Sequence, residues 1–514
     1  MKPKGGVSAV SQHSLILCAS MLSCMMVALV NGYWFSYLFP IDPYDMRRVI
    51  ELVFLIAIPL LSYGFHEVRE NFFGYLRFLP KGVRQAWILF FGLGAMSALY
   101  AAYPQFAFLE WALYLLILLD LLMLAAWATA LKAWGSVWLY GTLMASIYVL
   151  IIGRLVLYGL YGHALRSGAT FDSMVFITPT FMQLRFLAQV MTWTWPILVL
   201  PLMASSSMPR VKGKVFVGKV LIFILSGFLW SVMILNHSRA LYLEWVGLMS
   251  IALIFFSKPG RTWCCWQLGV ALLGLLIYFV QYQVIVNLYF LHLPLWGSGL
   301  FSRSLQSFSM VDNRLVLYHA AWLLIQAHPI LGVGPLHYPE ASWAFQQSAA
   351  HPHDVWLLVA CEWGIPAFLC FFSVVSFGMW KLFVKTRSLC QGSSHQKASS
   401  FEGMILFLTL MGGLFHASVS GVLVMPASQG LLVWVVGWSV YFYFNKPHQD
   451  PSNKNNKRMQ ILMGLAFLLA IGLIIWGVWP MWGRWTQAIE IYLDVTHLQM
   501  LEPNFWLQGW IQFY

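Results

Sequence analysis

The sequence predicts an all-α polytopic membrane protein, with about thirteen transmembrane helices and one large loop on the outer side. Three observations carry this reading. Hydrophobic residues make up 60% of the chain and charged residues only 9%, whereas a soluble domain carries about a quarter charged residues. Aromatics reach 17%, as expected where Trp and Tyr line membrane interfaces. Apolar runs long enough to cross a bilayer recur along nearly the whole chain, which excludes the two or three soluble domains that 514 residues would otherwise form.

The first run follows a short basic start, Met1 to Gly6. From Ser14 it continues past Val30 without a small-residue cleavage site, so it reads as an anchor and not as a cleaved signal peptide. Further runs lie near 50–66, 86–103, 107–130, 136–160, 185–204, 215–235, 240–257 and 263–283. After a long gap come 355–380, 403–424, 429–444 and 460–482. The seven cysteines lie in these runs or, for Cys390, in a basic loop, so no structural disulfide is expected.

Basic residues give the orientation. Clusters at Arg69–Arg84, Arg210–Lys219, Lys258–Arg261, Lys381–Lys397 and Lys446–Arg458 fall on alternate loops, on the same side as the N-terminus. The N-terminus is therefore expected in the cytoplasm and the tail from Gly483 outside. The net charge of +12 follows topology, and nucleic acid is not an expected partner. The organisation expected is an N-terminal bundle over 1–282, a large outer loop over 283–353, a C-terminal bundle over 354–482 and an outer tail over 483–514. Within the loop, Asp312 is placed to cap a helix running through Arg314 to Ala327, ended by His328-Pro329. Gly332-Val333-Gly334-Pro335 then makes a tight turn.

All fourteen lysines fall on the cytoplasmic side, whereas the outer side keeps nine arginines: 47, 48, 154, 166, 185, 239, 303, 314 and 484. Positive-inside topology accounts for few basic residues outside, not for their all being Arg. Arg binds phosphate oxygens bidentately and stays charged when buried, so this pattern points to a phosphorylated ligand at the outer leaflet. Anchoring to lipid head groups or structural pairing is the competing explanation. Arg239 stands at a helix mouth in Asn236-His237-Ser238-Arg239, while Arg154, near the outer end of its run, either finds a partner or snorkels to the interface.

The loop ends in Ala350-His351-Pro352-His353-Asp354-Val355, at the mouth of a membrane helix. Asp354 suits a helix N-terminus, so His353 lies beside the positive end of a helix dipole, which favours neutral imidazole. A neutral histidine there suits a general base that takes a proton from a sugar hydroxyl. A solvated loop histidine without chemistry is the alternative. The histidines of the loop, His319, His328, His337, His351 and His353, match no compact metal motif. Glu244 and Glu362 are intramembrane carboxylates and so functional candidates, or else partners of arginines.

Together, Asn313-Arg314 to Trp322, the turn Ala327-His328-Pro329-Ile330-Leu331-Gly332-Val333-Gly334-Pro335, and His353-Asp354 with Gly364 further on resemble the core of the O-antigen ligase and polymerase superfamily. Ser238-Arg239-Ala240 is similar to its helix mouth upstream. The resemblance covers roughly residues 230 to 380 and departs from the family at Asp354, where Asn is commoner, and at Ala367, where a second Gly is usual. It implies a bacterial inner-membrane enzyme that transfers a glycan from undecaprenyl diphosphate to an acceptor hydroxyl in the periplasm, with inversion and without nucleotide, metal or other cofactor. On that resemblance His353 is the base, and Arg239 and Arg314 hold the diphosphate leaving group. Arg185 and Arg154 are weaker candidates for the same pocket, with His351, Gly332, Gly334 and Glu362 as further substrate-binding candidates. Lipid A–core is the first acceptor implied. O-antigen polymerisation and protein O-glycosylation share the chemistry. A transporter or flippase is the non-enzyme alternative, but the sequence lacks the paired, broken helices of two related halves.

Overall fold

Inside lipid, backbone N–H and C=O groups must be satisfied within the segment that crosses, and helices do this. The computed structural model describes residues 9–36, 38, 41–167, 184–203, 212–236, 238–290, 311–343, 350–392, 397–444 and 456–482, with 484, 487, 490 and 505. Among the described residues the regular structure is helical and no strand occurs. The N-terminal part contributes α1 (Ala9–Val30), α2 (Pro43–Tyr63), α3 (His66–Phe78), α4 (Lys81–Tyr100), α5 (Pro104–Ala130) and α6 (Gly135–Arg166). There follow α7 (Leu184–Leu198), α8 (Lys212–Asn236), α9 (Arg239–Phe255) and α10 (Ser257–Tyr278), which continues as a π-helix over Phe279–Phe290. The remaining elements are α11 (Val311–Ala327), the short α12 (Tyr338–Trp343), α13 (Val355–Trp363), α14 (Ile365–Gln391), α15 (Lys397–Ala417), α16 (Pro426–Phe444) and α17 (Asn456–Val478).

Two helices serve as hubs. The segment from Phe106 to Ala130 is apolar on nearly every face, the pattern of a helix surrounded by others. In α5, 72% of the most apolar stretch is buried, and around α7 the figure is 89%, against 11% for the peripheral α14. α5 packs against α2, α3, α4, α16 and α17, while α7 packs against α8, α15 and α16. α16 therefore joins the two halves of the bundle.

Among the described residues ten helices are long and apolar enough to cross a membrane, or eleven if the bent pair α2–α3 counts as one span. That is fewer than the thirteen runs of the sequence reading. The runs at 240–257 and 429–444 do form helices, α9 and α16, but neither is among the ten; α9 has only 17 residues. The run at 355–380 is not one helix. It breaks at Gly364, whose φ of +85° separates α13 from α14. The basic stretch after the second run is itself helical: α3 turns away from α2 by 106° and carries Arg69 and Arg77. Asp312 lies within the first turn of α11 and does not precede it. Much of the tail from 483, the link 445–455 and the loop residues 291–310 and 344–349 lie outside the described residues.

Contacts sort the connections into two groups, one at each end of the bundle. Tyr103 N–H bonds His337, Gln189 bonds Ser420, Trp356 bonds Ser418, and Gln105 bonds the Trp476 carbonyl. At the other end Tyr441 bonds the Lys132 carbonyl, Ser136 bonds Glu402, and Lys385 bonds the carbonyls of Phe442 and Tyr443.

Candidate functional site

The break at Gly364 is built jointly with the turn after α11. A helix end leaves carbonyls without partners. Here the turn supplies them: Val333 N–H bonds the Cys361 carbonyl at 2.9 Å and Gly334 N–H bonds the Glu362 carbonyl at 3.0 Å. Ser97 adds a hydroxyl to the Glu362 carbonyl at 2.9 Å. Beyond the break, Ile365 N–H bonds the Pro329 carbonyl at 2.9 Å. Gly332 and Gly334 have φ of +69° and +109°, a region that favours glycine. A Cβ at Gly332 would collide with the backbone of Glu362, and one at Gly334 with Ala101. Both glycines thus serve the docking of the turn.

Glu362 is buried behind this turn. Its carboxylate accepts from Tyr338 N–H at 2.9 Å, and the carboxyl of Glu110, on α5, meets both Leu336 N–H and Glu362. Among the described residues its partners are backbone groups and a second carboxyl. His337 completes the support. Its Nε2 accepts from Tyr103 N–H at 2.9 Å, so Nδ1 carries the proton given to the Pro335 carbonyl at 2.7 Å. Burial lowers the His337 pKa and keeps the ring neutral.

His353 sits immediately before α13, half-buried, with φ of +57°. Asp354 caps the helix, accepting from Trp356 N–H at 2.8 Å and Leu357 N–H at 3.0 Å. Burial raises the Asp354 pKa, against the two N–H donors that lower it. His351 differs from its neighbour: it is buried, and its Nδ1 accepts the His353 N–H at 3.1 Å. The two rings stand edge to face with centroids 4.3 Å apart.

Behind His351 lies the 418–425 hairpin that joins α15 to α16. Trp356 of α13 bonds Ser418 at 3.0 Å. Arg48 of α2 pins the far side of the hairpin: its guanidinium reaches the Val424 carbonyl at 2.7 Å, Gln429 at 2.6 Å, Glu51 at 2.5 Å and the Phe505 carbonyl at 2.9 Å. The Phe505 ring also lies 4.8 Å from the guanidinium carbon.

The arginines divide by place. Arg314 is exposed on the first turn of α11, which packs against α13. Arg314 and Asp354 are the two charges felt by Tyr318, whose pKa burial raises. This helix therefore presents Arg314 beside the mouth that carries His353. Arg239 is exposed as the first residue of α9, at the end of the bundle where the 418–425 hairpin lies. Arg154 is buried within α6, donating to the Tyr158 hydroxyl at 2.7 Å and stacking on its ring, so it does not snorkel out. Arg185 belongs to α7, and its side chain lies outside the described residues. Glu244, buried on α9, is held by Trp195 at 2.9 Å and Thr192 at 2.8 Å, with His416 at 3.5 Å. Sequence reasoning missed Arg48, Glu110 and Gly421. Arg48 was visible only as one of nine outer arginines, and Gly421 carried no local signal. Among the described residues no three His, Cys, Asp or Glu side chains come together as a metal site.

Residues 221–372 match the O-antigen ligase family model. This stretch is similar to the O-antigen ligase domain, which supports a place in the O-antigen ligase and polymerase superfamily. No curated protein matches the chain. The matched stretch runs from within α8 into the first turns of α14 and includes Arg239, Arg314, the glycine turn, both histidines and Glu362. Arg48, Glu110 and the 418–425 hairpin, which hold these parts from behind, lie outside it.

Proposed function

We propose that the protein transfers a glycan from undecaprenyl diphosphate to an acceptor hydroxyl on the periplasmic face of a bacterial inner membrane, and that the reaction is O-antigen ligation to lipid A–core. The observation that carries the reading is the placement of His353 at the capped mouth of α13, beside Arg314 on α11, within the matched stretch. In this reading His353 accepts the proton of the acceptor hydroxyl as its oxygen attacks the anomeric carbon. The bond from that carbon to the diphosphate oxygen breaks, and the leaving group departs with the electron pair. Arg314 and Arg239 neutralise the charge that develops there. Direct displacement inverts the anomeric centre. The half-buried ring beside a helix N-terminus favours the neutral imidazole that a base requires.

The test is transfer by detergent-purified protein, using lipid-linked glycan extracted from a strain lacking this chain and lipopolysaccharide from the same strain. His353→Ala is expected to stay folded and to slow transfer by roughly 10²–10⁴-fold. Activity should fall at acid pH and be unaffected by EDTA. Ordinary activity in His353→Ala would remove the base from the proposal. The deletion strain itself distinguishes the acceptor: a missing ligase leaves complete lipid-linked polymer unattached, and a missing polymerase leaves single-repeat caps.

A further inference from the structure

We infer that His351 and Gly421 are positioning residues for His353: the neutral His351 ring, seated against Gly421, holds the His353 backbone in the conformation that presents its imidazole at the mouth of α13. The inference rests on the reading of His353 as the base.

A left-handed backbone is unfavourable for a residue with a Cβ unless its surroundings impose it. His353 adopts it with φ of +57°. The hydrogen bond that accompanies it is His353 N–H to His351 Nδ1, at 3.1 Å. Pro352, between them, has no N–H and limits His351 to extended backbone. An acceptor Nδ1 requires that the His351 proton sit on Nε2, so the bond exists only with this tautomer. The ring making it is itself fixed, being 4% exposed and edge-on to the His353 ring at 4.3 Å.

Its seat is Gly421. A Cβ there would stand 2.7 Å from both Cε1 and Nε2 of His351, closer than side-chain atoms approach one another. Gly421 cannot retreat, because its carbonyl receives Val424 N–H at 3.0 Å and Met425 N–H at 3.3 Å, and the hairpin is bonded to Arg48 through the Val424 carbonyl. Gly421 has no left-handed φ, so space, not backbone conformation, demands glycine here. The two histidines therefore act in series. His351, 4% exposed, points its acceptor at the chain and not at a ligand.

The experiment measures kcat and KM for the lipid-linked donor in the purified full chain, with thermal melting of each variant in detergent. Asn carries its Oδ1 where His carries Nδ1, so His351→Asn retains the acceptor. The expected result is a 10- to 100-fold loss of kcat in His351→Ala and in Gly421→Ala, with KM within about twofold of the parent, and recovery of most of the loss in His351→Asn. Three results overturn the inference: parental kcat in His351→Ala; His351→Asn as slow as His351→Ala; or a raised KM with unchanged kcat, which would make His351 a substrate contact. His353→Ala is measured alongside. If it is inactive while His351→Ala is parental, only the positioning role fails. If His353→Ala is itself parental, the base reading fails and the inference with it. Gly421→Ala counts only if its melting temperature matches the parent, and the histidine pair decides the matter without it.

Discussion

Arginine is a single class in the outer half of the sequence and several classes in the structure. Arg48 spends its whole fork inside the protein, on Glu51, Gln429 and two carbonyls, whereas Arg239 and Arg314 are exposed at helix starts. A lysine in place of Arg48 cannot reproduce four directions from one plane. Arg48→Met, which leaves Glu51 buried without its partner, is expected to cost about 3–5 kcal/mol, read as an earlier melting transition. Arg239→Lys and Arg314→Lys should melt with the parent yet lower transfer by roughly tenfold or more, because a point charge lacks the bidentate geometry that a diphosphate rewards. Near-parental rates in both would show that charge alone suffices. The exposed pair was legible from sequence because each starts a helix bordered by recognisable motifs. The role of Arg48 was not, since its partners lie at Val424, Gln429 and Phe505, hundreds of residues away. The same reason hid Gly421, whose partner His351 is distant in sequence.

At the level of elements, hydropathy located the long apolar helices, but not α3, which borders the core, nor the interruptions. The apolar run through 355–380 stays apolar past Gly364, where Pro366 is the local boundary signal and the φ of +85° marks the break. What makes the break tolerable is the turn docked against it, and that turn has its own acid sensitivity. His337 is neutral in the fold because burial lowers its pKa below the ordinary 6.5. Above the unfolded value both states are neutral and the contribution is complete. As pH falls from 6.5 through the lowered folded value, the unfolded chain binds the proton first and stability is lost. The parent should therefore melt progressively earlier below pH 6.5. His337→Gln, which keeps an acceptor for Tyr103 N–H without titrating, should melt earlier at pH 8 but depend less on pH. An equal pH dependence in both proteins would assign the acid loss elsewhere. The glycines of the turn were legible as a tight turn, and the collision each avoids was not, because it is with α13 and with Ala101.

For the whole molecule, the alternation of basic loops and the two groups of end contacts make one topological statement that can be tested directly. In a chain freed of its own cysteines, Cys at Gln326, exposed near the end of α11, should react with an impermeant maleimide in outer-membrane-permeabilised cells. Cys at Ser388, exposed near the end of α14, should react only after lysis. The reverse pattern would invert the molecule and put the candidate site in the cytoplasm. Ser342, within the loop expected outside, is fully buried and would give no usable label. The anchoring of Phe505 on Arg48 bears on manufacture as much as on architecture. Arg48 enters the membrane with the first helices, but its Nε receives a partner only when residue 505 has been made. A ribosome that stalls after α17 would release a chain with nearly all its helices and an unfinished clasp behind the candidate histidines. Such fragments would insert with Arg48 still short of the carbonyl that its Nε holds in the finished fold.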